Sequence, residues 1–318
     1  MTRVAVLDDY QRVAGRMADW GSLPEGTEVV FFHDHLVGVE ALAERLRDFE
    51  VVVAMRERTP FPRSLLGRLG RLRLLVTTGM RNAAIDLDAA AELGITVSGT
   101  DGIGTSTAEL TWALILALLR RVPEEDASMR TGGWQHTLGV DLAGKTLGVI
   151  GLGRIGRQVA AVARAFGMEV TAWSQNLTEE AARAAGARRL DKLDLLAGAD
   201  VVTVHLVLSE RTRGLIGAAE LEQMKPTAYL VNTSRGPIVD ERALVAALRS
   251  GRIAGAALDV YEVEPLPPDH PLRTLPNTVL TPHLGYVTEA GYRVFYGQAV
   301  EDIAAFLAGA PIRVLTQR

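Results

Sequence analysis

The 318-residue sequence contains no cysteine. This absence excludes disulfide bridges, thiolate metal sites and a cysteine nucleophile, and it fits a reducing cytoplasm. The sequence also lacks an apolar run that could cross a bilayer, because the longest one, around Leu110 to Leu119, is short and interrupted by polar residues. The first residues, Met1 to Asp9, lack the apolar core of a signal peptide and are typical of a first β-strand. We therefore expect a cytoplasmic protein without a membrane partner.

A large excess of charge of either sign is missing as well. The 34 lysines and arginines nearly balance the 38 aspartates and glutamates, which leaves a net charge of −4. Such a chain has no electrostatic footprint for nucleic acid or an anionic membrane. With 48% hydrophobic residues, the chain is long enough for two domains with large cores.

The first hundred residues alternate between strand and helix patterns. The strand patterns are Val4–Leu7, Val29–Phe32, Val51–Met55, Leu72–Thr77 and Ile95–Ser98, and helical patterns lie at Val39–Phe49 and Pro62–Leu69. Alternation of this kind predicts a parallel sheet that is covered by helices on both faces.

A second alternating series follows the turn Gly99–Gly104. A long apolar helix is expected to run to about Arg121, with Ser106 or Thr107 as its cap. The later strand patterns are Thr146–Ile150, Glu169–Trp173, Asp200–His205, Thr227–Asn232, Gly255–Val260 and Thr278–Thr281, and the helical patterns are Ile155–Phe166, Thr178–Ala185, Glu241–Ser250 and Glu289–Leu307. The fold class is therefore α/β, with two doubly wound parallel-sheet domains. The last helix is expected to return to the first domain, since chain termini often lie together.

A glycine-rich segment, Gly151–Gly156, lies between a strand pattern and a helix pattern. This is the setting in which such a segment binds a dinucleotide. Gly151 permits the tight turn, Gly153 lets a pyrophosphate approach the backbone, and Gly156 lets helix and strand pack closely. The helix N-terminus then attracts the phosphate charge.

The choice between NAD and NADP depends on the end of the next strand. An Asp or Glu that holds the ribose hydroxyls is expected there, but the sequence has Ser174, Gln175 and Asn176. The missing carboxylate leaves NADP possible, whereas no Arg or Lys lies between Trp173 and Glu180 to attract a 2′-phosphate. Either cofactor is compatible with the sequence, with a slight preference for NAD.

Three polar residues follow apolar strand patterns in the C-terminal half: Arg235, Glu264 and His283. The carboxyl ends of neighbouring strands converge on one crevice in an open α/β sheet. A cation, a carboxylate and an imidazole in that crevice can hold an anion and transfer a proton. Each residue alone could be structural, but together with the glycine-rich segment they predict hydride transfer to a small anionic carbonyl compound. Of the other histidines, only His205 is expected to line the crevice; those at positions 33, 35, 136 and 270 are expected to be structural.

Four segments together resemble the D-isomer-specific 2-hydroxyacid dehydrogenase family, over essentially the whole chain. They are Gly151–Gly156, Asn232–Glu241, Asp259–Pro265 and Thr281–Gly285. The resemblance implies that residues 100–286 form a Rossmann dinucleotide-binding domain, and that residues 1–99 with 287–318 form a discontinuous substrate, or lid, domain. The cleft between them is expected to hold the nicotinamide and a 2-oxo acid. No metal is needed for this chemistry.

The resemblance also assigns roles to residues. His283 is expected to transfer the proton, Glu264 to orient and charge its imidazole, and Arg235 to bind the substrate. The implied cofactor-binding residues are Thr107, Gly151, Gly153, Arg154, Ile155, Gly156, Ser174, His205, Thr233 and Asp259, and the implied substrate-binding residues are Arg56, Gly79, Met80 and Arg81 together with Arg235. A homodimer is implied, built through the helix from Ser106 to Arg121 and reached by Gly132–Trp134; a helix fully buried within one subunit is the alternative.

Two departures from the family pattern affect the site. The family usually has His-x-Pro-Leu where this chain has His205 to Leu208, and Tyr286 stands where a small residue is common. A bulky residue there bears on substrate size. The alternative functions are a dinucleotide-sensing scaffold and a formate- or phosphite-type oxidase on the same fold. Retention of Arg235, Glu264 and His283 argues against a scaffold, which has no use for a proton-transfer pair.

Overall fold

The computed structural model describes residues 1–315 and divides into two compact units. Unit 1 comprises residues 1–103 and 287–318, of which 316–318 lie outside the described residues, and unit 2 comprises residues 104–286. The sequence placed the first boundary at 99/100 and the second at 286/287. Each unit is built on a parallel sheet, so the predicted fold class is confirmed.

The N-terminal part of unit 1 contains five strands and four short helices. They are β1 (Thr2–Val6), α1 (Ala14–Met17), β2 (Thr27–Phe31), α2 (Val39–Leu46), β3 (Val51–Ala54), α3 (Arg63–Leu66), β4 (Leu74–Thr77), α4 (Leu87–Glu92) and β5 (Thr96–Gly99). The sheet order is β2-β1-β3-β4-β5, and every pair is parallel. The central strands β3 and β4 are apolar at nearly every position because both of their faces are buried.

Unit 2 contains seven strands and seven helices among the described residues. They are α5 (Ser106–Leu119), α6 (Val122–Arg130), β6 (Thr146–Ile150), α7 (Arg154–Ala165), β7 (Glu169–Trp173), α8 (Glu179–Ala184), β8 (Arg188–Arg189), α9 (Lys192–Gly198), β9 (Val201–Val204), α10 (Ala218–Gln223), β10 (Tyr229–Asn232), α11 (Glu241–Arg249), β11 (Gly255–Leu258) and β12 (Thr278–Leu280). The parallel sheet has the order β12-β11-β10-β9-β6-β7-β8. The order reverses between β6 and β9, and ligands bind at such a switch point in open α/β sheets.

The long apolar helix α5 differs from its prediction at its N-terminus. It begins at Ser106 after Thr105, and no side chain caps its first turn; the hydroxyl of Thr107 donates instead to the carbonyl oxygen of Gly285 at 3.0 Å. Several of its apolar side chains are buried within unit 2: Ala108, Trp112, Leu114, Ile115, Leu118 and Leu119. Leu110 and Leu116 are partly buried, and Ala113 is exposed.

The chain returns to unit 1 through α12 (Glu289–Leu307), as the sequence predicts. Thr288 caps this helix by accepting the N–H of Gly291 at 3.0 Å. The buried rings of Tyr292, Phe295 and Tyr296 belong to the helix face that packs within unit 1. The segment beyond the helix then joins β5, where Val314 pairs with Ser98 in an antiparallel bridge. No helix within residues 1–315 combines the length and apolar character needed to cross a membrane.

Candidate active site

The three polar residues singled out in the sequence follow three adjacent strands. β10, β11 and β12 are parallel neighbours, so their carboxyl ends lie along the same edge of the unit 2 sheet. Arg235 follows β10, Glu264 follows β11 and His283 follows β12.

Glu264 and His283 form a closely bonded pair. Nδ1 of His283 lies 2.6 Å from Oε2 of Glu264, while Oε1 of Glu264 accepts the backbone N–H of Tyr261 at 2.9 Å. The carboxylate is thus held by both of its oxygens, and Nε2 is the imidazole nitrogen that can reach a substrate. The His283 side chain is 20% exposed and that of Glu264 34%, which leaves the pair sheltered but open to a small ligand.

The segment that carries His283 is a tight turn fixed to Asp259. His283 has a left-handed backbone with φ +57°. The buried carboxylate of Asp259 accepts hydrogen bonds from the Thr281 hydroxyl at 2.6 Å and from the N–H groups of Leu284 and Gly285 at 2.7 and 2.9 Å. Burial raises the pKa of Asp259, whereas these hydrogen bonds act in the opposite direction.

Arg235 is presented by a turn that begins with Asn232. The amide of Asn232 donates to the carbonyl oxygen of Arg235 at 3.0 Å, and its Oδ1 accepts the N–H of Ser234 at 3.0 Å. Nη1 of Arg235 donates to the carbonyl oxygen of Ser234 at 2.8 Å, which holds the guanidinium near its own turn. The next residue, Gly236, packs so closely that an added Cβ would collide with the carbonyl group of Tyr261. The Arg235 turn therefore contacts the segment that holds Glu264.

The glycine-rich turn has the geometry that a dinucleotide requires. Gly151 has φ +105°, and a Cβ there would lie 2.6 Å from the carbonyl oxygen of His205. A Cβ on Gly156 would collide with the carbonyl oxygen of Gly151, so only glycine lets α7 pack this closely. A Cβ on Gly153 would meet no atom within 4 Å, which leaves open space for a pyrophosphate at the helix N-terminus. The residues present fit a dinucleotide cofactor.

Four other predicted cofactor-binding side chains surround this turn or the nearby strand ends. The hydroxyl of Ser174 accepts the N–H of Leu152 at 3.2 Å, so Ser174 lies at the glycine-rich turn as expected from its place after β7. The guanidinium of Arg154 extends along Gly104, and the side chain of Ile155 packs on the core. Thr233 is buried, with its hydroxyl 2.8 Å from that of Thr111 on α5.

His205 contacts the glycine-rich turn through its backbone carbonyl group, and its imidazole ring bonds to a neighbouring hydroxyl. Its Nε2 lies 2.9 Å from the hydroxyl of Thr203, and its carbonyl group abuts Gly151. Burial lowers the pKa of His205 to about 4, so the imidazole is neutral near pH 7. The ring of His205 is therefore a neutral hydrogen-bonding partner of Thr203.

The predicted substrate-binding residues of unit 1 follow β3 and β4. The backbone N–H of Arg56 donates to the Thr78 hydroxyl at 2.8 Å, and its guanidinium donates to the Thr78 carbonyl oxygen at 3.2 Å. This guanidinium lies so close to Gly79 that a Cβ there would collide with it. Met80 and Arg81, which come next, are exposed. Arg56 and the Gly79 loop are thus brought together, as the sequence predicts.

Two residues of the site were not singled out by the sequence. The hydroxyl of Tyr261 donates towards the carbonyl oxygens of Thr281 and Leu258, at 2.9 and 3.2 Å, so it joins the ends of β11 and β12. Thr281 binds Asp259 through its hydroxyl. Both residues lie inside segments that resemble the family, but nothing in their spacing indicates which hydroxyl would find which partner.

The chain is similar to proteins of known family, sequence and structure. Residues 112–285 match the family model described as D-isomer specific 2-hydroxyacid dehydrogenase, NAD binding domain. The chain is 46% identical over 255 residues to a glyoxylate reductase of Aeropyrum pernix, covering 77% of this chain and 76% of that protein. It is 40% identical over 274 residues to a D-3-phosphoglycerate dehydrogenase of Methanocaldococcus jannaschii, covering 85% of this chain but 52% of the relative, so it spans about half of that protein's length. A crystal structure of a putative D-3-phosphoglycerate dehydrogenase oxidoreductase from Ralstonia solanacearum is similar with a TM-score of 0.93 and 40% identity, over 99% of this chain and 96% of that chain.

Proposed function

The chain belongs to the D-isomer-specific 2-hydroxyacid dehydrogenases, nicotinamide-dependent oxidoreductases that act on a CH–OH group, and we propose that it interconverts a small 2-oxo acid and its 2-hydroxy acid with His283 as the acid and base. The observation that carries the proposal is the 2.6 Å contact between Nδ1 of His283 and Oε2 of Glu264. Such a pair leaves Nε2 to give or take a proton at the substrate oxygen.

Each residue of the site has a separate task in reduction. The nicotinamide, when bound, supplies the hydride that adds to C2 of the substrate. Nε2 of His283 donates a proton to the oxygen as negative charge develops there, and the Glu264 carboxylate stabilises the protonated imidazole by its charge. The guanidinium of Arg235 neutralises the substrate carboxylate and polarises the carbonyl. Oxidation reverses the proton transfer.

We propose a small substrate. The aromatic ring of Tyr286 lies 5.4 Å from the imidazole of His283, centroid to centroid, at an interplanar angle of 70°. A ring in this position occupies space beside the proton donor, which favours a 2-oxo acid with a short side chain. Arg56 and the backbone at Gly79 are proposed to bind the substrate carboxylate, assisted by Met80 and Arg81. The relative that is 46% identical is a glyoxylate reductase, which makes glyoxylate the first compound to test.

A turnover assay separates the candidate functions. The protein would be given NADH or NADPH with glyoxylate, hydroxypyruvate, a phosphorylated 2-oxo acid or a larger 2-oxo acid, and NAD or NADP with formate or phosphite. Turnover of at least one 2-oxo acid is expected, with the D-hydroxy acid as product. Cofactor binding without turnover of any compound would favour a dinucleotide-sensing scaffold, and turnover of formate or phosphite alone would favour the oxidase.

We also propose a homodimer, supported by an exposed apolar segment of unit 2. Val122 and Met129 of α6 are exposed, and beyond this helix Trp134 is 72% and Leu138 91% exposed. Large apolar side chains gathered in one segment are typical of an interaction surface. These residues of segment 122–138 add to the predicted contact through α5, where Ala113 is exposed and Leu110 and Leu116 are only partly buried.

A further inference from the structure

We infer that Asp259, Thr281 and Tyr261 act together as positioning residues for His283. We call these three the turn clamp, because they hold the segment Thr281–Gly285 in the conformation that directs the imidazole to Glu264. The inference rests on the proposed function, in which His283 moves the proton. It gives Asp259 a task on the protein itself, in addition to the cofactor contact that the family resemblance implies.

The first argument is that the turn needs an external restraint. His283 adopts φ +57°, a backbone region that residues with a side chain rarely occupy. Such a conformation persists only where surrounding contacts impose it. Within the turn, the N–H of His283 donates to the Thr281 carbonyl oxygen at 3.1 Å, which is a very short-range contact. The restraint must therefore come from outside the turn.

Asp259 supplies most of this restraint. One of its oxygens accepts both the Thr281 hydroxyl and the N–H of Leu284, and the other accepts the N–H of Gly285. These bonds fix the turn on both sides of His283. Asp259 is completely buried, and unlike an amide a carboxylate can accept all three donors. At Gly285, an added Cβ would lie 3.3 Å from the carboxylate, so a larger residue would press on the clamp.

Tyr261 connects the turn to Glu264. Its hydroxyl donates to the carbonyl oxygen of Thr281, and its own N–H donates to Oε1 of Glu264. One residue thus anchors both partners of the proton-transfer pair. The contact between Nδ1 and Oε2 is only 2.6 Å long, and a small displacement of either segment would lengthen it. Loss of the turn clamp should therefore weaken the hydrogen bond between His283 and Glu264 more than any other contact of unit 2.

Thr281 offers a test that leaves every charge in place. Thr281→Val removes one hydrogen bond to Asp259 with little change of volume, and Thr281→Ser restores that bond. Thr278→Val is the matched control, since Thr278 begins β12, at the end of the strand away from His283. Its hydroxyl donates to the carbonyl oxygens of Leu272 and Leu275, at 3.3 and 2.9 Å. Tyr261→Phe tests the second arm of the clamp independently.

The first readout needs no substrate. A short hydrogen bond between Nδ1–H of His283 and Glu264 should give a strongly downfield proton resonance in NMR spectra, assigned by its loss in His283→Ala. Thr281→Val and Tyr261→Phe should shift this resonance upfield, whereas Thr281→Ser and Thr278→Val should retain it. An unchanged resonance in both Thr281→Val and Tyr261→Phe, with the parent signal present, would overturn the inference.

The second readout is activity. Thr281→Val should lower kcat by roughly 10-fold to 100-fold, the scale of loss when a catalytic group is misplaced, with the cofactor dissociation constant unchanged. Its pH–rate profile for reduction should also fall off at lower pH, and Thr281→Ser should recover most of kcat. If Thr281→Val changed cofactor affinity but not kcat, Asp259 would serve the cofactor alone. If the parent turned over no 2-oxo acid while the resonance moved as expected, the proposed function would fail and the clamp would stand.

Discussion

At the scale of the residue, removal of the His283 side chain should lower the reaction rate more than any other single substitution. His283→Ala takes away the proton donor, so kcat for reduction should fall by roughly 10²–10⁴-fold while cofactor binding stays nearly intact. Glu264→Gln should make the reductive rate fall off at lower pH, because the neutral amide no longer stabilises the protonated imidazole. Steady-state kinetics across pH and cofactor titration measure both effects.

The control for His283 is a second histidine–carboxylate pair in unit 2. Nε2 of His270 lies 3.0 Å from Oε1 of Glu241, in a setting that the proposed chemistry does not use. His270→Ala should therefore leave kcat close to that of the parent. Full activity in His283→Ala, or an equal loss in His270→Ala, would remove the assignment of His283 as the acid.

Arg235 is expected to act through the shape of its guanidinium as well as its charge. Arg235→Lys keeps the charge but cannot form two parallel hydrogen bonds with a carboxylate. KM for the 2-oxo acid should rise and kcat should fall, with the cofactor dissociation constant little changed. Arg252→Lys, at a surface ion pair with Glu222, is the matched control and should change neither constant. An effect of Arg235→Lys on cofactor affinity alone would mean that Arg235 faces the cofactor.

Ser174 is the residue at which we expect a substitution to alter the preference between NAD and NADP. Its hydroxyl lies at the glycine-rich turn, where it accepts the N–H of Leu152. Ser174, Gln175 and Asn176 offer neutral groups only, so discrimination between NAD and NADP should be shallow, with a slight preference for NAD. Ser174→Asp adds a negative charge that repels a 2′-phosphate and should shift the preference further towards NAD.

The measurement for Ser174 is kcat/KM with each cofactor, for the parent and for Ser174→Asp. Glu180→Gln, in the first turn of α8, removes a charge nearby without adding one at the strand end, and it should leave the ratio almost unchanged. A parent that rejects NAD by several orders of magnitude would show that a phosphate site exists elsewhere, and the expected shallow discrimination would be wrong.

At the scale of the element, the strongly patterned segments could be predicted and the short ones could not. β6 and β7 of unit 2 and the final helix α12 have the bounds that their apolar patterns predict. The sequence missed β8, which has only two residues, and the helices α9 and α10 between stronger strands. A helix this short has fewer than two turns, and a strand this short shows at most one alternation of apolar and polar residues. The sequence pattern is then too weak to define the element, and tertiary contacts decide its conformation.

The same limit applies to the site. The positions of Arg235, Glu264 and His283 could be predicted because strand ends and family-like segments mark them. The hydrogen bonds of Thr281 and Tyr261 could not, because a hydroxyl can bond to any acceptor that the fold brings near it. The apolar circumference of α5 predicts that the helix is covered, but what covers it depends on how α7, β10 and β11 pack around it.

At the scale of the element, the exposed apolar residues of segment 122–138 lead to a prediction about the oligomeric state. If Trp134 and Leu138 face a second subunit, the parent should sediment as a dimer at micromolar concentration, and Leu138→Asp should shift it towards monomer by burying a charge in the interface. Leu193→Asp, at another exposed leucine of unit 2, is the control and should leave the sedimentation coefficient unchanged. A monomeric parent would rule the dimer out.

At the scale of the whole molecule, residues 312–315 attach to the sheet of unit 1. Arg313 forms an ion pair with the buried Asp302 of α12, with Nε 2.9 Å from Oδ1, and its other nitrogen pairs with the exposed Glu301 at 2.8 Å. The same segment pairs with β5, because the backbone carbonyl oxygen of Arg313 accepts the N–H of Gly99 at 3.0 Å. The buried carboxylate of Asp302 is therefore part of the attachment of residues 312–315 to the sheet.

This arrangement predicts how stability depends on pH. Burial raises the pKa of Asp302 to about 7, although Arg313 opposes the shift. Because the folded state then holds a proton that the unfolded state has released, the free energy of unfolding should decrease as pH rises from about 4 to 7. For a shift of about three units, this loss has an upper limit of about 4 kcal/mol. Asp302→Asn cannot ionise and should lack this part of the pH dependence.

Urea unfolding at pH 5 and pH 8 provides the measurement. Asp302→Asn should gain stability relative to the parent as pH rises across this range, because only the parent must keep a buried carboxylate ionised. Glu301→Gln is the matched control: its side chain is 61% exposed, so solvent screens its ion pair with Arg313 and the pH dependence of the parent should remain. Equal pH dependence in the parent and in Asp302→Asn would mean that Arg313 keeps Asp302 ionised throughout. The ion pair, rather than the proton, would then hold the last segment on the sheet.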